Sequence, residues 1–207
     1  PASVTFAVAE FAREGLPGWP TLISHRLIQP MADRMAAYRP KLGITPETIP
    51  GIESYSRELI ARLDAHFAVH DYLLGGRPCL GDFALFGPLW SHVWRDPGTT
   101  HWFDGADAVL AWFERMQAPP APGEWLADDA VPETLDAIYR TMFEEQWAYL
   151  AELVAVIDTW AEANSDARRL PRALGDHAFT IGGKTGTRRL ITFSQWMLQR
   201  SLDVYGE

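Results

Sequence analysis

An all-α fold is what this sequence predicts, and three observations carry the prediction. Long apolar stripes recur at helical spacing. Glycines and prolines stop those stripes where helices would end. Only one stretch, "HAFTIGGKTGTRRLITF" (177–193), has the look of paired strands around a Gly-rich turn. The expected architecture is a helical bundle with a small C-terminal β-hairpin extension, in helix-on-helix packing.

Each element follows from local chemistry. Residues 1–52 are punctuated by Pro17, Pro20, Pro30, Pro40, Pro46 and Pro50, so short helical pieces are expected there, around 21–29 and 30–38, with 40–52 as a loop. From Glu53 the period turns clearly helical. Leu59, Ile60, Leu63 and Phe67 share a face, and Glu58 can pair with Arg62 one turn on. Gly75, Gly76 and Pro78 end that helix. The next runs from about Leu80 to Arg95, with Phe83, Phe86, Leu89, Trp90, Val93 and Trp94 as a wide stripe and a kink expected at Pro88. A short helix follows at 106–117, with Val109, Leu110, Phe113 and Met116 inward. Pro132 opens the longest segment, about 132–163, whose inward set is Leu135, Ile138, Met142, Leu150, Leu153, Ile157 and Trp160. Residues 165–177 read as loop, and Ser194 as the cap of a last helix over 195–205. The expected division is 1–52 as an N-terminal segment, 53–163 as the core bundle and 164–207 as the C-terminal extension.

Composition bounds the partners. The 207 residues are 47% hydrophobic and 22% charged, with a formal net charge of −9. An acidic balance argues against nucleic acid, which calls for a basic face. Apolar runs fall short of the 18 or so residues of a membrane span, so no membrane partner is expected. The first residues show no basic leader before an apolar core, so no signal peptide is expected and a cytoplasmic location is the default. A single cysteine gives neither an internal disulfide framework nor a Cys-based metal site. Nine tryptophans suit a packed aromatic core or an apolar ligand cleft.

The candidate sites reduce mainly to structure. In "GGRPCLGDFALFGPLW" (75–90), Cys79 stands at a helix N-cap and Asp82 three residues on, the spacing of a capping box. Sulfur is a weak acceptor, so Cys79 is a substituted cap; the alternative is a thiol activated by the helix N-terminus. "GGKTG" (182–186) lacks the first glycine of a phosphate-cradling loop, since Ala178 stands there, and lacks an S-x-x-K partner; a hairpin tip is expected. His66 and His70 have two-His metal spacing without a third ligand, so no metal is expected, and His92 between Trp90 and Trp94 reads as a core histidine. Neither G-x-S-x-G nor G-x-G-x-x-G occurs, and no catalytic residue is assigned.

"YLLGGRPCLGDFALFGPLWSHVWRDP" followed by "ADAVLAWFERM" resembles the C-terminal helical domain of the glutathione S-transferase superfamily, in which a Gly-Arg-Pro-Ser-x-x-Asp box opens a central helix. "DDAVPETL", "LPRALGDHAFTIGG" and "FSQWMLQRSLD" resemble a bacterial branch with a longer C-terminal extension. The resemblance covers 53–207 and is most specific over 72–117. It implies glutathione as co-substrate, attack of its thiolate on a hydrophobic electrophile, a helical domain that forms the apolar substrate side of the cleft, and a homodimer. It makes Asp82 a folding residue. Residues 1–52 resemble the family more weakly, as the first, cleft-facing helices of the same domain, which makes Trp19, His25, Arg26 and Tyr38 candidate substrate-binding residues. Position 79 departs from the family's Ser or Thr. The thioredoxin-like domain that binds glutathione in the family has no matching positions here, so a non-catalytic interaction or scaffold module of the same fold is the alternative.

Overall fold

The computed structural model describes residues 2–119 and 123–205. Helix α1 (Ala2–Gly15) buries Val8 and Ala12, one turn apart on a single face. Helix α2 (Thr21–Tyr38) runs straight through Pro30, so the two expected pieces are one helix. Proline removes one amide donor, yet its fixed φ near −65° is helical, and the chain continues. Helix α3 (Ile49–Phe67) begins earlier than its periodicity suggested. The amide of Thr45 donates to the Thr48 hydroxyl at 2.9 Å, and Ile49 N donates to the Thr45 carbonyl at 2.9 Å. These bonds nucleate the helix inside the expected loop.

Helix α4 (Leu80–Pro88) continues without a stop into a π-helical turn, Leu89–Trp94. Pro88 cannot donate, one rung of the ladder is missing, and the following turn widens. Arg95 N reaches back five residues to the Trp90 carbonyl at 3.1 Å. Thr99 and Thr100 hydroxyls then take the carbonyls of Val93 and Trp94 at 2.5 and 2.6 Å. Helix α5 (Asp107–Gln117) buries Val109, Trp112 and Phe113. Trp112, outside the expected inward set, is fully buried.

After a 3-10 turn (Glu133–Leu135) come α6 (Asp136–Thr141), a π turn (Met142–Trp147) and α7 (Ala148–Ala163). Pro132 precedes the first turn with extended φ/ψ rather than opening it from within. The π turn shifts the helical phase, so Met142, expected inward, is half exposed, and Tyr149 takes the buried place. Strands β1 (Ala173–Ile181) and β2 (Lys184–Ile191) pair antiparallel, with Ile181 opposite Lys184. The first strand starts inside the stretch expected to be loop. Helix α8 (Phe193–Tyr205) includes Ser194, which therefore does not cap it.

The chain divides into two compact units, 1–37 with 56–136 and 38–55 with 137–207. In the first, aromatic rings carry the core. Phe67 stacks on Trp112 at 4.5 Å, and Phe86 meets Trp112 and Phe113 edge-on at 5.9 Å each. Edge and offset contacts of this kind add to burial itself. In the second, Tyr149, Leu153 and Ile157 of α7 pack with Leu190 of the hairpin.

Glycine lets the 43–51 segment close on that hairpin. A Cβ at Gly43 would lie 2.4 Å from the Phe179 ring, and one at Gly186 would lie 2.5 Å from the Thr48 methyl. The hairpin turn itself is Gly182-Gly183, with φ of +53° and +72°, the left-handed pair that a two-residue turn requires. The glycines of "GGKTG" thus serve backbone approach. The two turn positions separate conformation from crowding. A Cβ at Gly182 would meet the Gly51 carbonyl oxygen at 2.2 Å, whereas nothing lies within 4 Å of one at Gly183. Gly183→Ala is expected to cost about 1 kcal/mol, and Gly182→Ala at least about twice that. Urea unfolding midpoints of the two variants check this; equal losses would contradict the close approach.

Candidate functional site

The resemblance-bearing stretch is built around one carboxyl group. Cys79 is the N-cap residue of α4 with extended φ/ψ, and Asp82 is its N3 residue. Asp82 is fully buried. One oxygen, Oδ2, accepts from the Cys79 amide at 2.9 Å. The other, Oδ1, accepts from the Leu73 amide at 3.0 Å and from the indole Nε1 of Trp112 at 3.1 Å. A single side chain therefore ties the preceding loop, the start of α4 and the middle of α5. The loop is held from its other side as well: Gly76 N donates to the Glu124 carbonyl and Leu126 N to the Leu74 carbonyl, both at 2.9 Å. A Cβ at Gly123 would lie 2.0 Å from the Gly76 oxygen, so the glycines here permit two backbones to touch.

Cys79 completes the box weakly. Its sulfur accepts from the Asp82 amide, but sulfur is a weak acceptor and the same amide also donates to the Cys79 carbonyl at 3.1 Å. Burial pushes the thiol pKa up, and the neighbouring Asp82 carboxyl adds to the rise. A thiol shifted that way is protonated at neutral pH and a poor nucleophile.

Two further groups fix the neighbourhood. Asp64 Oδ1 accepts from the amides of Ala108 and Val109 at 2.8 and 3.1 Å, so α3 caps α5 from outside its own sequence. His66 is fully buried. Its Nε2 lies 3.3 Å from the Tyr72 carbonyl and must donate there, and its Nδ1 accepts from the Thr134 hydroxyl at 2.7 Å. Both ring nitrogens are used, and the ring stacks on His70 at 5.0 Å, so the pair does not form a two-His metal face. Burial lowers the His66 pKa.

The open surface lies at the turn between α1 and α2. A cleft of about 280 Å³ is lined by Arg13, Leu16, Trp19, Thr21, Ser24 and His25, among others. Trp19 is half exposed at its mouth. Arg13 already pairs with Glu10 at 2.9 Å and Glu14 at 3.1 Å. Of the candidate substrate-binding residues, Trp19 and His25 share this cleft. Arg26 is exposed and does not line it. Tyr38 ends α2 in the other unit, with the Lys41 ammonium 5.3 Å from its ring centroid.

Residues 54–120 match the family model for the glutathione S-transferase C-terminal domain. That segment, about a third of the chain, is similar to the helical C-terminal domain of glutathione S-transferases. It holds most of α3, all of α4 and α5, and the Asp82 tie. Neither the curated proteins nor the solved structures give a match. Among the described residues, no helix is long and apolar enough to cross a membrane.

Two measurements test this geometry. Cys79→Ser supplies a true acceptor at the N-cap and should stabilise by about 0.5–1 kcal/mol; no gain in the unfolding midpoint would mean that the sulfur already caps fully. The second concerns His66. Folded, burial makes it take its proton at lower pH than the unfolded chain does, where an ordinary histidine titrates at about 6.5. The unfolded state then holds more protons, so stability should fall as pH drops from 7.5 toward 5. His66→Gln should flatten that slope whatever its effect on absolute stability, and an unchanged slope would contradict the assignment.

Proposed function

We propose that this chain supplies the apolar, substrate-facing side of a glutathione-transferase-like protein, against which glutathione thiolate attacks a hydrophobic electrophile. The family match over 54–120 carries this reading. The cleft with Trp19 and His25 supports it, because the Trp19 ring and Leu16 offer a small molecule an apolar face beside the polar Arg13, Thr21, Ser24 and His25. No residue of this chain is assigned to thiol activation. The half-buried Cys79, whose thiol pKa is pushed up, is unsuited to it, and the resemblance gives that task to a thioredoxin-like domain.

A second reading, an interaction module that pairs with a second copy, is favoured by α2. Ile23, Leu27, Met31 and Met35 recur every fourth residue and are all substantially exposed. Such a ridge is the surface on which helices pack.

One experiment separates the readings. The full polypeptide is assayed with glutathione and a panel of aryl halides, alongside its solution mass by light scattering. The transferase reading expects conjugation, and a Trp19→Ala variant that keeps its fold but loses about tenfold in kcat/KM, on the order of 1.4 kcal/mol of transition-state binding. A stable dimer without glutathione binding or conjugation would overturn it and leave the interaction module.

A further inference from the structure

The second unit holds a cleft of its own, on elements outside the matched segment. It is about 450 Å³ in volume, between α7 and the hairpin. That lies within the usual range for small-molecule sites. Val156, Trp160, Leu174 and Leu190 give it an apolar surface. Leu190 is almost fully buried, so this surface belongs to a packed core. Glu152 and Asp176 stand among the lining residues, and the described lining includes no lysine or arginine.

Both carboxylates are anchored from behind. Glu152 Oε2 is 2.6 Å from His177 Nδ1, and Asp176 Oδ1 accepts from Arg189 Nη1 at 3.2 Å. Their side chains nevertheless remain 46% and 54% exposed. They are held in place with open oxygen surface remaining. The shift in strand register between Ala173 and Asp176, with Gly175 at φ +79°, is what sets Asp176 beside the cleft.

We propose that this cleft binds a small organic ammonium ion with an apolar body. The reasoning is one of charge and surface. An apolar neutral ligand would strip water from the carboxylates and return nothing. An anion would meet two carboxylates, and the neighbouring Arg189 guanidinium is already engaged by Asp176. A cation gains from both carboxylates and from the Trp160 ring face, while its hydrocarbon part covers Val156 and Leu174. The chain's net charge of −9 raises the local concentration of such a cation.

Benzyltrimethylammonium is the probe, followed by nitrogen–proton NMR on the isotope-labelled protein. The expected result is saturable shifts at the Trp160 indole and the Gly175 amide. Asp176→Asn and Glu152→Gln should each weaken binding about fivefold, the worth of one partly exposed ion pair. Glu152→Gln loosens the His177 contact, so its urea midpoint is read alongside; Asp176→Asn, on the exposed face, serves alone if that midpoint collapses. Trp160→Leu should weaken the cation more than its uncharged tert-butyl analogue. Three results would overturn the proposal: no saturable shift up to about 10 mM, equal affinity for the tert-butyl analogue, or tighter binding of phenylacetate.

Discussion

The Asp82 carboxyl is the constraint on which the first unit depends. It sits with no exposed surface and accepts three hydrogen bonds, from Leu73, Cys79 and Trp112. A buried carboxyl without donors would be costly, and the buried Trp112 indole N–H without an acceptor would be costly too. Each side therefore requires the other. This mutual need orients the Trp112 indole, and the indole in turn sets the plane against which Phe67 stacks. From that stack the ring contacts spread to Phe86, Phe113 and Trp94. The helix N-terminus adds its dipole to the same point.

The second unit is held differently. Its closeness comes from absent side chains. Gly43, Gly51, Gly182 and Gly186 each stand where a Cβ would collide with a neighbouring residue. The hairpin can then lie directly on the 43–51 segment, and α7 supplies the apolar layer with Tyr149, Leu153 and Ile157. Arg188 threads this layer, with its guanidinium 4.5 Å from the Tyr149 ring centroid and 5.3 Å from that of Phe179. Burial lowers its pKa, and one amino group donates to the Glu145 carbonyl at 2.9 Å. That carbonyl lies in the π turn, where the regular ladder is interrupted.

Much of this was legible in the sequence, for a physical reason. Apolar periodicity marks the faces that must leave water, so α3, α4, α5 and α7 could be read from it. The hairpin was legible because two adjacent glycines between Thr-rich runs suit a tight turn. What escaped depends on partners distant in sequence. Trp112 is buried by an acceptor thirty residues upstream, and α5 is capped by Asp64 rather than by a residue of its own. The π turn at Met142–Trp147 carries no glycine or proline to announce it. The candidate cleft was legible only in part. Trp19 and His25 line one cleft at the turn between α1 and α2, whereas Arg26 is exposed and outside that lining. The family resemblance rested on the same few residues that make the Asp82 tie, which is why it was specific there.

The functional reading rests on that tie, since it fixes the domain that the family match describes. Hydrogen exchange measured by NMR on the intact protein tests it most directly. The amides of Leu73 and Cys79 and the indole N–H of Trp112 share one buried acceptor. They should exchange together, at the rate of the most protected core amides, because releasing any one requires opening the unit. Exchange of the Leu73 amide or the Trp112 indole orders of magnitude faster than the core would contradict the account.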